Sequence, residues 1–284
     1  MSLHGEYRNK TRNKKWDVEA FGNFYLSGYN AGDYNAYISL QRQISKNLGF
    51  LQAGFENVNR TLSTAWNRES SFGFGVQGFF RKENVIHLFG SIDQPKLKLK
   101  LSANYYLLNN YPYFQDYYLA AQESNPFNIL QVSAEKVVAV GRHWVLRANL
   151  ILQQRAGNSP VNIPLFVTHD QFGYEGKLGF KNLQIAFGLD MLCFTAHKAD
   201  GYSPVVGQAF TQTATTIKQN LPDIGGYLNF RIRSFVAYLR VENLNTLQNS
   251  KVYGLGFTNN NLVAPDYPYP GLRIRLGIFW SFVN

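Results

Sequence analysis

Apolar and polar side chains alternate along most of this chain with a period of two. In residues 95–110, PKLKLKLSANYYLLNN, Leu97, Leu99, Leu101, Ala103, Tyr105 and Leu107 form one apolar series, with Lys96, Lys98 and Lys100 between them. A strand sends successive side chains to opposite faces, so this segment has one apolar face and one wet face. The same reading holds for Trp16, Val18 and Ala20 against Asp17, Glu19 and Asn23. It holds for Trp144, Leu146, Ala148, Leu150 and Leu152 against Arg147, Asn149 and Gln153, and for Leu183, Ile185, Phe187, Leu189 and Met191 against Gln184 and Asp190. The last segment is the most regular: Leu272, Ile274, Leu276, Ile278, Trp280 and Phe282 share a side, and Arg273 and Arg275 lie opposite. Such runs reach about ten residues, the length a tilted strand needs to cross a bilayer.

The breaks between runs carry a second pattern. Tight turns fall at Lys46-Asn47-Leu48-Gly49, Gln94-Pro95-Lys96, Gly141-Arg142, Lys181-Asn182 and Arg233-Ser234. Longer connections, rich in Asn, Tyr, Pro, Gly and Ser, fall near residues 60–83, 109–126, 155–165, 196–222 and 247–270. Short and long connections therefore alternate, as they do in outer-membrane barrels with short periplasmic turns and long outer loops. The strands expected on this parity lie near 15–27, 35–45, 49–59, 84–94, 96–108, 127–140, 143–154, 167–180, 182–195, 223–233, 235–246 and 271–283, with 3–9 as a thirteenth before the NKTRNKK turn. The fold class expected is all-β: an antiparallel, up-and-down transmembrane β-barrel of about 12–14 strands. Residues 1–284 would be one barrel domain, complete in itself or part of a larger barrel.

Composition narrows the alternatives. The chain is 45% hydrophobic and 15% aromatic, but only 16% charged, which suits many strands better than many helices. Its mean hydropathy is −0.25, and no stretch approaches the ~20 apolar residues of a spanning helix. The formal net charge is +10, yet no nucleic-acid recognition motif accompanies it, so no nucleic-acid partner is expected. One cysteine, Cys193, excludes an internal disulfide and a cysteine metal cluster. Residues 1–10, MSLHGEYRNK, lack the apolar core of a signal peptide. Together with a first strand that descends from the outer side, this raises the expectation that preceding strands and a leader are missing. Trp16, Trp144 and Trp280 fall on the apolar face beside the short-connection end, where a periplasmic aromatic girdle would stand.

The stretches NVIHLFGSIDQPKLKLKLSANYYLLNNYPYF, NIPLFVTHDQFGYEGKL, YSPVVGQAFTQ and YPYPGLRIRLGIFWSFVN resemble the putative porin family of Bacteroides-type outer membranes. Pro270-Gly271, Arg273, Gly277, Trp280 and Phe282 fit that family's final strand. The resemblance runs from about residue 60 to the C-terminus. It implies an outer-membrane β-barrel with a pore function, generally longer than this chain, with a further N-terminal portion. It supplies no catalytic residues.

Catalytic chemistry is not expected from the residues either. His4, His87, His143, His169 and His197 show no ligand spacing, no G-x-S-x-G occurs, and GFGVQG at 73–78 lies in no strand-to-helix context. No enzyme activity, cofactor or metal is therefore expected. The candidate site is the polar face, with Lys96, Lys98, Lys100, Arg147, Arg231, Arg233, Arg240, Arg273 and Arg275 as candidate pore-lining residues. A charge facing lipid near the midplane costs roughly 2–4 kcal/mol, which assigns these cations to water. Rings of Lys and Arg select anions; alternatively, the cations pair with Asp17, Glu19, Glu135, Glu175, Asp190 and Glu242. Two functions follow as expectations. One is a channel for passive diffusion of small hydrophilic solutes. The other is a non-conducting barrel acting as anchor, receptor or partner subunit, with the Tyr- and Asn-rich loops at 109–126 and 247–270 making the contacts. The partners expected are outer-membrane lipids, small solutes, and a protein or missing N-terminal strands that complete the barrel.

Overall fold

The computed structural model describes residues 1–10, 15–45, 47–66, 79–157, 159–219, 221–244, 262–268 and 270–281. Thirteen long strands make one antiparallel sheet in sequence order. They are Ser2–Lys10, Trp16–Tyr25, Tyr34–Ser45, Gly49–Arg60, Glu83–Gln94, Leu99–Asn109, Phe127–Val140, Trp144–Ala156, Phe166–Gly176, Leu183–Phe194, Asp223–Ile232, Phe235–Glu242 and Arg273–Trp280. Each strand expected from alternation is present, and 3–9 is a true thirteenth. Residues 245–250, 251–261 and 282–284, on which the end of the 235–246 expectation, most of the 247–270 loop and Phe282 fall, lie outside the described residues, as do Lys46, the GFGVQG stretch and residues 11–14.

Two expected strands overran short turns. Residues 96–98 are not strand: Lys98 takes a left-handed φ of 48° and its amide donates to the Pro95 carbonyl at 3.1 Å, closing the turn before Leu99. The strand expected over 167–180 stops at Gly176, where Leu178 at φ 45° and Gly179 at φ 82° reverse the chain. Arg233, at φ 52°, likewise forms a turn.

Register explains which side chains share a face. In the first of two compact units, residues 1–133, 152–163 and 197–216, paired positions carry Ala20, Ile38, Phe55, Leu88 and Tyr105 across five strands. Ile38, Phe55 and Leu88 are exposed to the surroundings. The opposite row is Phe21, Tyr37, Glu56, His87 and Tyr106. In the second unit, residues 134–151, 164–196 and 217–284, the apolar row is Tyr174, Phe187, Leu228, Leu239 and Leu276. Its opposite row is Glu175, Ala186, Asn229, Tyr238 and Gly277. Large hydrophobics thus stand exposed on one face, and buried apolar side chains of the first unit, such as Phe114, Ala120 and Phe127, lie in the 109–126 connection and at the strand end that follows it. This is the inverse of a water-soluble sheet protein, and the wall strands other than Phe235–Glu242 and Arg273–Trp280, at 9 to 14 residues, reach the length that crosses a bilayer.

Aromatic rings on the polar face lie across glycines of the adjacent strand. Phe89 pairs with Gly54 and Tyr238 with Gly277. A Cβ added at Gly54 would meet the Phe89 ring at 2.1 Å, and one at Gly277 the Tyr238 ring at 2.1 Å. The glycine gives the ring a flat seat on the backbone, a recognised device for pinning register. Gly54→Ala should therefore force Phe89 off its seat and destabilise the protein by about 1–3 kcal/mol. Gly5→Ala, where a Cβ meets nothing within 4 Å, should cost far less. Urea unfolding midpoints in lipid vesicles measure both; equal midpoints would overturn the seating argument.

Candidate functional site: the polar face and the loops above it

In the second unit the polar face carries a ladder of charges that crosses four strands. Arg240 lies 3.4 Å from Asp190 and 3.4 Å from Glu242, and Glu242 lies 3.1 Å from Arg275. Asp190 and Arg240 stand two strands apart and meet because Gly225 intervenes; a Cβ there would sit 2.7 Å from the Asp190 carboxylate. Arg147 binds Glu175 at 2.5 Å. Three of the nine candidate cations, Arg147, Arg240 and Arg275, therefore have carboxylate partners. Arg231 donates to the Arg233 carbonyl at 3.2 Å, and Arg273 pairs in register with Glu242 without an ion pair of its own among the described residues.

The three lysines separate. Lys100 is in the strand, directly across from Asp93 on the polar face. Lys96 and Lys98 are in the turn, where the Lys96 ammonium donates to Asn47 of the neighbouring turn at 2.8 Å. Arg233 is a turn residue as well. Lys96, Lys98 and Arg233 therefore stand in turns and outside the strands. Trp144 and Trp280 are exposed on the apolar face at the short-connection end. Trp144 stacks on Phe172 at 5.2 Å, Trp280 meets Phe235 edge-on at 6.0 Å, and Arg42 covers Trp16 at 4.4 Å.

At the other end of the first unit the long connections fold together, which alternation did not disclose. A hairpin of Tyr111–Gln115 and Leu119–Glu123 and a second of Gly201–Ser203 and Gln208–Phe210 rise above the wall strands. Trp66 stacks on Phe114 at 4.3 Å and meets Phe80 edge-on at 6.1 Å. Tyr117 packs on Phe210 at 5.1 Å. The Thr211 amide donates to the Phe114 carbonyl and its hydroxyl to the Pro160 carbonyl, both at 2.7 Å. Asn162 donates to Asp200 and to the Gln212 carbonyl, both at 2.8 Å. Gln122 holds the Arg81 amide and carbonyl at 2.9 and 2.8 Å. A cavity of about 500 Å³ opens between residues 79–81 and 115–124.

Below these loops lie charges that the sequence reading missed. Arg60 and Glu83, direct partners in register, meet at 2.6 Å with the Glu83 side chain 2% exposed. Asp33 receives Lys82 at 2.7 Å and the Thr61 amide and hydroxyl at 2.9 and 2.8 Å. The last residue of one strand facing the first of its neighbour was the available signal for Arg60 and Glu83; Asp33 offered none. No group of three or more metal-binding side chains occurs among the described residues.

The family described as "Putative porin" matches residues 1–284. The chain belongs to this family. No curated protein matches it. In fold, this porin-family chain is similar to the copper transporter OprC, with 13% identity and a TM-score of 0.62 over 99% of this chain and 47% of that one. It is similar to a mutant of the ferric enterobactin receptor PfeA from Pseudomonas aeruginosa, with 12% identity and a TM-score of 0.65 over 99% of this chain and 44% of that one. It also matches a PfeA mutant in complex with enterobactin, with 12% identity and a TM-score of 0.63 over 99% and 45%. At these identities the likeness is one of fold. The chain spans less than half the length of these structures.

Two acids beneath the loops respond to pH with opposite sign. Burial raises the Asp33 pKa, but the bonds from Lys82 and Thr61 outweigh it and leave it below the ordinary value. Its contribution to stability is full above about pH 3.9 and is lost as pH falls through the lowered value. For Asp200 burial prevails over Asn162, His197 and Arg155 and leaves the pKa raised. Its ionisation therefore weakens the fold as pH rises from about 3.9 through the raised value. Lys82→Ala should cost about 1–3 kcal/mol and move the acid loss to higher pH. Asp200→Asn keeps an acceptor for Asn162, so proteolysis of the 197–216 connection should slow at neutral pH. Proteolysis rates across a pH series check both variants.

Proposed function

We propose that this chain forms part of the wall of an outer-membrane channel through which small hydrophilic solutes diffuse, with a lumen that favours anions. The carrying observation is the two-faced wall: large hydrophobics outward on one face, charges and amides on the other. Only a wall between lipid and water suits both faces at once. Within the second unit, Arg231 and Arg273 lack carboxylate ion pairs among the described residues, while Arg147, Arg240 and Arg275 are held by Glu175, Asp190 and Glu242. The unpaired arginines supply the anion preference, and the paired ones fix the wall. Because the chain spans under half of the barrels it resembles, further strands of a longer chain or a partner would complete the pore. No reaction is assigned to it.

The knit loops and the cavity beside Phe80 and Gln122 favour a second reading, a non-conducting barrel that acts as anchor or receptor. Planar-bilayer recording of the purified protein separates the two. Stable conducting steps support the channel; a folded protein that never conducts removes it. Reversal of Arg231 and Arg273 to Glu should lower the anion-to-cation permeability ratio, by up to about fivefold for each. That is the effect of the roughly 1 kcal/mol between unit charges at contact in water. An unchanged ratio would sink the anion preference while leaving the channel intact.

A further inference from the structure

Two of the short turns, at 95–98 and 177–182, share a composition that neither the strand pattern nor the channel reading requires. In the first unit Leu97 is 56% exposed and is flanked by Lys96 and Lys98. In the second unit the turn Lys177-Leu178-Gly179-Phe180-Lys181 leaves Leu178 48% and Phe180 64% exposed. Polar residues are usual at the tip of a tight turn, because such a tip ordinarily stands in water. Here a large apolar side chain stands at the tip with a lysine on either side. None of Lys98, Lys177 and Lys181 has an ion pair or side-chain hydrogen bond among the described residues.

Backbone conformation makes the choice of residues more pointed. Lys98 at φ 48° and Leu178 at φ 45° hold the left-handed region, which Gly or Asn occupies at lower cost. Strain kept at a position that glycine would relieve directs attention to the side chain carried there. What these side chains share is a pattern of apolar tip and cationic flank. That combination matches the boundary of a bilayer, where an apolar group enters the acyl region and lysines reach the phosphates. The exposed Trp144, close to the turn around Arg142, stands at the same end of the second unit's strands, as interfacial tryptophans do.

We infer that the tips of these two short turns are lipid-binding patches, in which Leu97, Leu178 and Phe180 enter the bilayer boundary and their flanking lysines bind the phosphates of anionic phospholipids. Each unit carries such a patch by itself. The inference rests on the membrane-barrel part of the proposed function and is independent of conduction. It also accounts for two basic turn residues, Lys96 and Lys98, without placing them in the pore.

The test uses the purified protein extracted from vesicles of mixed phosphatidylglycerol and phosphatidylcholine, with co-purifying lipid counted by mass spectrometry. The protein should retain phosphatidylglycerol in preference to phosphatidylcholine. Lys177→Gln and Lys181→Gln should each lower that preference by about fivefold, the effect of one basic residue at an anionic surface. An unchanged preference in the double variant would overturn the inference. So would release of the phosphatidylglycerol by inorganic phosphate at matched ionic strength, which would mark a site for free anions. Phe180→Trp supplies a readout that does not depend on the lysines. Its fluorescence should be quenched by lipids brominated close to the headgroup, and no quenching would overturn the insertion of the tip. Conductance recorded on the same preparations keeps the outcomes apart: an unsubstituted protein that conducts normally but shows no lipid preference counts against the lipid-binding patches alone.

Discussion

Every backbone amide and carbonyl in the wall must find its partner on a neighbouring strand, because a bilayer offers none. From this constraint the rest of the structure follows. Long strands paired in sequence order satisfy the backbone without help from side chains. The side chains are then free to obey two solvents, one on each face, and the period of two in the sequence is the record of that freedom. Packing is correspondingly inverted. The rows through Ile38, Phe55 and Leu88 are exposed, while tight apolar burial of the first unit, at Phe114 and Phe127, lies in the 109–126 connection and at the strand end that follows it.

How much of this was legible depends on whether a residue's role is set locally. The strand Phe127–Val140 matches the alternating run residue for residue, because both of its ends are marked by a change of pattern. The two overruns, at 96–98 and 177–180, have one cause. Leucine, lysine and phenylalanine keep alternating around the turn, so periodicity sees no break where the backbone reverses. Only the left-handed φ of Lys98 and Leu178 reveals it. The residues that misled the strand reading are the same ones that form the lipid-binding patches, and a turn composed for water would have misled nobody.

The loops were legible only as loops. Trp66 stacks on Phe114, Phe114 accepts from Thr211, and Asn162 reaches Asp200. Each contact joins segments with no shared period and nothing but distance along the chain between them. Residues such as Tyr111 to Tyr118 read as generic Asn- and Tyr-rich connection, and their pairing into a hairpin depends on the strand ends that bring them up. The charges below them divide in the same way. Arg60 and Glu83 are direct partners in the register, so a pairing rule finds them; Asp33 gathers Lys82 and Thr61 from another connection, and no rule applied to one segment could.

The polar face shows how such a wall can be crowded with large groups and still leave room beside it. A ring projecting from a strand would stand well clear of the sheet. Phe89 and Tyr238 instead lie over Gly54 and Gly277, and a flat ring over a glycine adds little height to the wall. The arginine ladder works similarly. Asp190 passes over Gly225 to reach Arg240, so the guanidinium is drawn along the sheet toward its carboxylates and away from the open side. Glycine content, aromatic content and ion pairing are thereby parts of one arrangement. The glycines let bulky and charged side chains lie down, and the carboxylates of Glu175, Asp190 and Glu242 hold the arginines that lie down.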